Sequence, residues 1–294
     1  MNEHRKIGVL GGDARILFLV KTLADARYEC ALWGHDENGI PKDAVRVRDI
    51  RDAAANSAAV ILPLPVSRDS LTLNAPCHGG EAVKLSDVVG MIGRDCLVVG
   101  GGAAPALKDE FEKKGVRYVD FAETEEFAAK NAVPTVEGAI AIAVTETPKT
   151  IAESRCAVVG YGRIGKRLAR ALGALGARVS VAARRYEALA AAERAGHTPI
   201  HVSKIDALSD GYDIIFNTAP ARVFDREFLA RLDAKTSIID LASAPYAADR
   251  RDAEATGVKY ILAPGLPGRF SPESAGGIMG ECVRSILEGE GIEP

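Results

Sequence analysis

The sequence predicts an α/β protein made of two doubly wound parallel-sheet lobes, and three observations support this. Short apolar runs recur along the whole chain, each followed by a stretch with helical spacing, which is typical of βα units. These units fall into two sets separated by a helical segment. The 294 residues also exceed the usual size of one hydrophobic core. We therefore expect two Rossmann-like lobes joined by helices, with a cleft between them.

The apolar runs give the expected strands of each lobe. In the first lobe the strands are expected at Ile7–Leu10, Cys30–Trp33, Ala59–Pro63, Cys96–Gly100 and Arg117–Asp120, with helices beginning near Ala14, Glu81 and Ala104. In the second lobe they are expected at Cys156–Gly160, Arg178–Ala183, Thr198–His201, Asp213–Asn217, Ser237–Leu241 and Val258–Leu262.

Two further helices are predicted, one between the two sets of βα units and one near the end of the sequence. The segment 131–146 has apolar residues on one helical face, and Pro134 suits a first turn, which predicts a connecting helix within 131–150. Ser271-Pro272-Glu273 is typical of a helix start and is followed by a wide apolar stripe. We predict a Rossmann-like or flavodoxin-like substrate lobe over 1–130, a dinucleotide domain over 151–270, and a C-terminal helix over 271–294 that packs back on the first lobe.

The composition excludes several classes of function. A net charge of −3 gives no general attraction to nucleic acid or to an anionic membrane, so the expected partner is a small molecule. The five cysteines contain no C-x-x-C pair, which argues against a zinc site and a disulfide framework, and no metal is expected. The sequence offers neither a signal-peptide core nor a long uninterrupted apolar span, so a cytoplasmic protein is expected.

The most specific motif is a glycine-rich turn between a predicted strand and a predicted helix. Its residues are Gly160, Tyr161, Gly162, Arg163, Ile164 and Gly165. The first glycine permits a tight turn, the second lets the backbone approach a pyrophosphate, and the third lets helix and strand pack closely. Helix N–H groups then bind the phosphates. This context favours dinucleotide binding over a glycine-rich turn without a ligand.

The strand that follows ends in Arg184 and Arg185, where an NAD enzyme usually has an acidic residue for the ribose 2′-hydroxyl. Arginine binds a 2′-phosphate through charge-assisted hydrogen bonds, so NADP is expected. Alternatively, Arg184 and Arg185 only begin a solvated helix, and the choice between NADP and NAD then stays open. The turns after later strands contain further candidate cofactor residues, namely Asn217, Thr218, Asp240, Ala242, Pro264 and Gly265. Ordinary βα turns favour the same residue types.

The first lobe contains candidate substrate residues. Gly11-Gly12-Asp13-Ala14-Arg15 follows a predicted strand, but its glycine spacing differs from the dinucleotide fingerprint, so a second cofactor is not expected. Arg15 is placed to bind a substrate carboxylate while Asp13 orients it; alternatively the two form a local ion pair. Ser67 is placed to begin a helix and present N–H groups to an anion.

Over essentially its full length the sequence resembles the dipicolinate synthase A family. The resemblance is carried by Ile7–Arg15, Ile61–Pro65, the segment 133–138, the glycine fingerprint, Asp240–Ser243 and Ala263–Gly268. It implies an NADP-dependent oxidoreductase that converts a dihydrodipicolinate-type intermediate, derived from 4-hydroxy-tetrahydrodipicolinate, to pyridine-2,6-dicarboxylate. It also implies a role in sporulation, with dipicolinate synthase B, a flavoprotein-like protein, as partner. A homo-oligomer is expected as well.

A dicarboxylate substrate needs cations or helix N-termini at both ends. The candidates are Arg15, Ser67, Thr135 and Arg269. Glu137, expected near the start of the connecting helix, is a candidate acceptor of the ring proton, or a carboxylate favoured there by the helix dipole. Two alternatives stay open. A 2-hydroxy-acid dehydrogenase has a similar plan, but it needs a histidine base in its later half and no histidine follows His201. The other is a non-catalytic, NADP-binding regulatory subunit.

Overall fold

A computed structural model describes residues 6–36 and 39–294, and its chain divides into two compact units. The first unit comprises residues 1–131 and 271–294, and the second comprises residues 132–270. Each unit contains one six-stranded parallel sheet with helices alongside. The division agrees with the expected two-lobed α/β fold.

In the first unit the strands follow the order β3-β2-β1-β4-β5-β6. They are β1 (Ile7–Leu10), β2 (Cys30–Trp33), β3 (Ala44–Arg46), β4 (Ala59–Ile61), β5 (Leu97–Gly100) and β6 (Tyr118–Asp120). The helices along this part of the chain are α1 (Arg15–Asp25), α2 (Ile50–Ala54), α3 (Leu85–Met91), α4 (Pro105–Lys114) and α5 (Glu125–Glu146), with a 3-10 turn at Phe121–Glu123.

In the second unit the order is β12-β11-β10-β7-β8-β9. The strands are β7 (Arg155–Val159), β8 (Arg178–Ala183), β9 (Thr198–His201), β10 (Ile214–Asn217), β11 (Ser237–Asp240) and β12 (Lys259–Leu262). The helices are α6 (Arg163–Ala174), α7 (Tyr186–Arg194), α8 (Arg226–Arg231), α9 (Arg250–Thr256) and α10 (Leu266–Phe270), with 3-10 turns at Ile151–Glu153 and Val202–Leu208. Both sheets therefore have the doubly wound order of a Rossmann fold, in which the chain reverses direction beside the first strand.

Each sheet is buried on both faces, which explains the continuous apolar runs. In β1, for example, Ile7 and Val9 enter the core cluster on one face while Leu10 enters the cluster on the other. In β10, Phe216 and Ile215 likewise enter two different clusters. Helices cover the faces of a parallel sheet, so alternation of polar and apolar residues is lost.

The strand predictions agree closely with the structure, whereas several helix predictions were wrong. The sequence did not predict β3 and α2, because both are short and have no clear hydrophobic period. α3 begins at Leu85 rather than near Glu81. Ser67 does not begin a helix, because it lies in an irregular segment after β4.

The connecting helix is longer than the apolar pattern predicts. α5 begins at Glu125, where the Thr124 hydroxyl accepts the N–H of Phe127, so Pro134 lies inside the helix rather than in its first turn. Residues 125–131 of α5 belong to the first unit and residues 132–146 to the second. The early turns were missed because their residues are mostly polar, although acidic residues such as Glu125 and Glu126 favour a helix start.

α11 (Pro272–Gly289) belongs to the first unit and packs along α1. Two glycines permit this close approach. A Cβ on Gly276 would lie 2.2 Å from the carbonyl oxygen of Arg15, and a Cβ on Gly280 would lie 2.6 Å from Cβ of Thr22. Gly277 lies beside them on the same helix, but a Cβ there would meet no heavy atom within 4 Å.

We therefore expect Gly276→Ala to destabilise the first unit by about 1–3 kcal/mol, because the added methyl overpacks the α1–α11 contact. Gly277→Ala is the matched control and should stabilise the helix by up to about 1 kcal/mol. The single tryptophan, Trp33, lies in β2, so its fluorescence in urea unfolding reports on this unit. Equal unfolding midpoints for the two variants would contradict this account of the helix contact.

Candidate dinucleotide site

The glycine-rich turn joins β7 to α6, and an added side chain would clash with a different neighbour at each of two of its glycines. Gly160 has a φ of 93°, which disfavours side chains, and a Cβ there would lie 2.5 Å from the Thr218 hydroxyl oxygen. A Cβ on Gly165 would lie 2.1 Å from the carbonyl oxygen of Gly160. The loop after β7 and the first helical turn of α6 can therefore pack together only because Gly160 and Gly165 lack side chains.

Gly162 differs from both, because a Cβ placed there would meet no heavy atom within 4 Å. It is the N-cap of α6, makes no side-chain cap, and has no acidic residue in the following turn. The helix therefore begins with uncapped N–H groups beside open space, which is a favourable environment for an anion. These features fit a pyrophosphate, and the residues that would hold it are those of the glycine turn.

The other residues of the motif divide between core and surface. Tyr161 is buried and Ile164 packs against the same core cluster, and burial raises the pKa of the Tyr161 phenol. Arg163 is exposed at the start of α6. Of the motif's side chains, only that of Arg163 therefore extends to the surface beside the turn.

Arg184 and Arg185 follow β8, the neighbour of β7 in the sheet, and both are exposed. Neither guanidinium forms an ion pair or a hydrogen bond with another residue of the described chain. His201 bonds the backbone carbonyl of Arg184 at 3.1 Å and stacks on Tyr186, which supports the backbone of this corner. Two free cations thus lie after the strand where dinucleotide domains recognise the adenosine ribose.

The later strands meet in a buried polar network centred on Asp240. Its carboxylate accepts hydrogen bonds from the Asn217 amide at 2.8 Å, the Ala242 N–H at 3.1 Å, the Ala247 N–H at 2.7 Å and the Tyr260 hydroxyl at 2.5 Å. Burial and the adjacent carboxylate raise the pKa of Tyr260, so it remains a donor. Asn217 and Asp240 therefore hold the loops after β10 and β11 in place.

The remaining candidates of the second unit occupy the same edge of the sheet. The Thr218 hydroxyl donates to the carbonyls of Val159 and Gly160, at 2.9 and 3.3 Å, and so braces the glycine turn. Pro264 and Gly265 are exposed in the turn between β12 and α10. Tyr260, which sequence analysis missed, gives no local signal, because only the pairing of β11 with β12 brings it to Asp240.

In the first unit, Asp13 and Arg15 form a two-pronged ion pair. Nε and Nη2 of Arg15 each lie 2.8 Å from an oxygen of Asp13, and Nη2 also donates to the Leu64 carbonyl at 2.5 Å. Burial by itself would raise the pKa of Asp13, but its hydrogen bonds to Arg15 and the arginine charge outweigh burial and lower it. Asp13 is thus a poor proton acceptor, and Nη1 of Arg15 forms no hydrogen bond with another residue of the described chain.

The glycine turn of the first unit is closed by the chain itself. The N–H of Gly12 donates to the Asn74 carbonyl at 2.8 Å, and a Cβ on Gly11 would lie 3.0 Å from Cβ of Ala75. The Asp13 carboxylate also accepts the N–H of Arg15 at the start of α1. In the first unit the segment around Asn74 and the Asp13 side chain therefore occupy the space beside the glycine turn. In the second unit the space beside Gly162 is open.

The remaining sequence candidates lie on different segments of the chain. The Ser67 hydroxyl donates to Asp69 at 2.9 Å, and that carboxylate also accepts the N–H groups of Leu71 and Thr72, which lowers its pKa. Thr135 is buried in α5, whereas Glu137 is exposed on it. Because α5 begins at Glu125, Glu137 lies far from the helix start, and the explanation by the helix dipole was wrong.

Arg269 is exposed at the end of α10, with its guanidinium 5.0 Å from the ring centre of Phe270. No group of three or more potential metal ligands exists among residues 6–36 and 39–294. Within the same residues one helix, α5, is long and apolar enough to cross a membrane, but half of the relevant window is buried inside the protein and forms part of its core.

Two family models match the chain, one in each unit. Residues 6–122 match the N-terminal domain of dipicolinate synthase A. Residues 134–250 match the NAD binding domain of D-isomer specific 2-hydroxyacid dehydrogenases. The second match covers the open glycine turn, so the second unit is a nicotinamide cofactor domain of the dehydrogenase type.

Full-length comparison gives the family. The chain is 32% identical over 284 residues to dipicolinate synthase A of Bacillus subtilis, covering 96% of this chain and 95% of that protein. The chain belongs to the dipicolinate synthase A family. The crystal structure of dipicolinate synthase A from Bacillus halodurans matches with a TM-score of 0.90 at 31% identity, covering 98% of this chain and 99% of that one.

More distant structures share the fold of this member of the dipicolinate synthase A family. A transhydrogenase from Sinorhizobium meliloti matches with a TM-score of 0.70 at 16% identity, covering 97% of this chain and 94% of that one. An L-alanine dehydrogenase matches with a TM-score of 0.66 at 15% identity, covering 98% and 91%. The family's two-unit plan is therefore the plan of several dehydrogenases.

Replacement of single glycines should separate cofactor binding from folding. Gly162→Ala is expected to leave the unfolding temperature nearly unchanged but to weaken binding of a nicotinamide dinucleotide by at least about tenfold, because the methyl enters the space left for the pyrophosphate. Gly165→Ala is expected to lower the unfolding temperature itself, since its methyl clashes with backbone. Calorimetry measures both quantities, and unchanged dinucleotide affinity in Gly162→Ala would refute the site.

Proposed function

We propose that the protein is an NADP-dependent dehydrogenase that oxidises a dihydrodipicolinate-type ring to pyridine-2,6-dicarboxylate. The observation that supports it most is the open second glycine at the N-terminus of α6, together with two unpaired arginines after β8, in a chain of the dipicolinate synthase A family. The alternatives are a 2-hydroxy-acid dehydrogenase and a non-catalytic NADP-binding regulatory subunit. Against the former, the last histidine, His201, uses both ring nitrogens in local hydrogen bonds.

The glycine turn and the arginines are proposed to hold the cofactor. The N–H groups at the start of α6 would bind the pyrophosphate, and Arg184 and Arg185 the 2′-phosphate. Asn217, Thr218 and Asp240 act as positioning residues, since their polar atoms bond loops and the glycine turn. When bound, NADP supplies the hydride acceptor.

The substrate carries two carboxylates, for which Arg15 and Arg269 are the proposed cationic partners. Arg15 would use Nη1, because its other donors are held by Asp13 and Leu64. Arg269 is exposed and carries an unpaired charge over Phe270. Ser67 and Thr135 are proposed as further hydrogen-bond partners, with the Ser67 hydroxyl still able to accept while it donates to Asp69.

Oxidation of the ring removes one hydride and one proton, after which the ring is aromatic. The driving force is the aromatic product, so catalysis rests mainly on correct placement of the ring. Glu137 is proposed to accept the proton, because it is exposed and makes no ion pair within the described chain. Asp13 is proposed to act only through Arg15, since its lowered pKa makes it a weak base.

The setting of the reaction is also proposed. The protein would work in the cytoplasm during sporulation, as a homo-oligomer and together with dipicolinate synthase B. The family membership supports this setting.

The choice of cofactor is tested by Arg184→Ser/Arg185→Ser in the full chain. We expect KM for NADP to rise at least about tenfold, because charge-assisted hydrogen bonds to the 2′-phosphate are lost, while turnover with NAD is unchanged. Absorbance of the reduced nicotinamide, with freshly made 4-hydroxy-tetrahydrodipicolinate and with or without dipicolinate synthase B, measures both. Arg194→Ser, an exposed arginine at the other end of α7, is the control.

The same assay separates the candidate functions. Growth of the nicotinamide band together with the ultraviolet signature of the pyridine product supports the dehydrogenase. A preference of the unaltered protein for NAD would remove the role given to the two arginines. Tight NADP binding without turnover under any condition, dipicolinate synthase B included, would overturn the enzyme in favour of a regulatory subunit.

A further inference from the structure

One cavity of the second unit lies away from the arginines that follow β8. It has a volume of about 1150 Å³ and is lined by residues of α6, α7, β7, β8 and β9 and by Tyr212. Of the glycine turn it includes only Tyr161, and it includes neither Arg184, Arg185 nor the turns after β10, β11 and β12. It therefore shares only Tyr161 with the proposed dinucleotide contacts.

Four cations line this cavity, and no carboxylate does. Arg155 and Arg178 are the first residues of β7 and β8, while Lys166 and Arg170 lie one turn apart on α6. None of them forms an ion pair with another residue of the described chain. Arg155 stacks on the ring of Tyr212, 4.9 Å from its centre. The nearby Asp213 carboxylate forms an ion pair with Lys149 and accepts the backbone N–H of Arg155 at 2.9 Å.

The four cations also form two adjacent pairs of like charge. Arg155 and Arg178 are register partners in neighbouring strands, so their side chains start side by side. Lys166 and Arg170 are spaced i,i+4, where like charges repel. Such repulsion costs stability unless an anion neutralises it. The arrangement thus favours binding of an anion over binding of a cation.

We propose that this cavity, hereafter the cationic cavity, binds a small molecule that carries two or more phosphate groups. Arginine forks match phosphate oxygens bidentately, and several phosphates match four cations better than a single carboxylate does. The volume accommodates more than one phosphate group. His197 also lines the cavity, and burial lowers its pKa, which disfavours its charged form.

The test uses pyrophosphate as the probe and calorimetry on the full chain. Pyrophosphate should bind the unaltered protein, and Arg170→Ser/Arg178→Ser should raise its dissociation constant at least about tenfold, because two charge-assisted contacts are lost. Binding should also weaken as salt is added. All four cations are exposed, so folding should persist, and circular dichroism checks it.

Two matched variants assign the binding to the cationic cavity. Arg194→Ser removes an exposed arginine of the same unit that does not line it, and Gly162→Ala fills the space proposed for the dinucleotide pyrophosphate at the glycine turn. Neither should change the pyrophosphate binding that Arg170→Ser/Arg178→Ser weakens. Absence of binding, equal affinity in Arg170→Ser/Arg178→Ser, or loss only in Gly162→Ala would overturn the proposal. Binding of poly-glutamate without binding of pyrophosphate would overturn it in favour of an acidic protein segment. Failure of the dehydrogenase assay bears on none of these outcomes.

Discussion

The contact between the Gly160 carbonyl and the backbone of Gly165 is the constraint on which the second unit's site depends. At this point the first turn of α6 lies so close to the end of β7 that a methyl group at Gly165 would overlap the carbonyl. The helix then begins at Gly162, which has no side chain to cap the first N–H groups of α6. The later loops are fitted around it, since Thr218 bonds Gly160 and the Asp240 network fixes the loop that carries Thr218.

The first unit has the same strand order but an opposite outcome at the corresponding turn. There the Asn74 carbonyl accepts the N–H of Gly12, and the Asp13 carboxylate accepts the N–H of Arg15, the first residue of α1. A carboxylate of the chain thus lies at this turn in the first unit, and Arg15 pairs with it. Sheet topology provides a turn of this kind in both units, but the side chains beside it determine whether a ligand can enter.

All charged residues of α6 are basic, and the helix adjoins two surfaces of the second unit, the glycine turn and the cationic cavity. The helix contains Arg163, Lys166, Arg167 and Arg170 and no acidic residue. Its start adjoins the glycine turn, whereas Lys166 and Arg170 line the cationic cavity. A helix of this composition gains little from its own side chains, so its stability comes from the apolar face formed by Leu168, Ala169 and Leu172.

The sequence by itself determined the strands, the glycine turn and the family, because each depends on residues adjacent in the chain. Tertiary structure decided which polar groups remain free. Asn74 reaches Gly12, and Tyr260 reaches Asp240, only through pairing of distant segments, and no local pattern encodes those contacts. The start of α5 was also missed, since tertiary packing stabilises a helix through Pro134 that propensity alone would end.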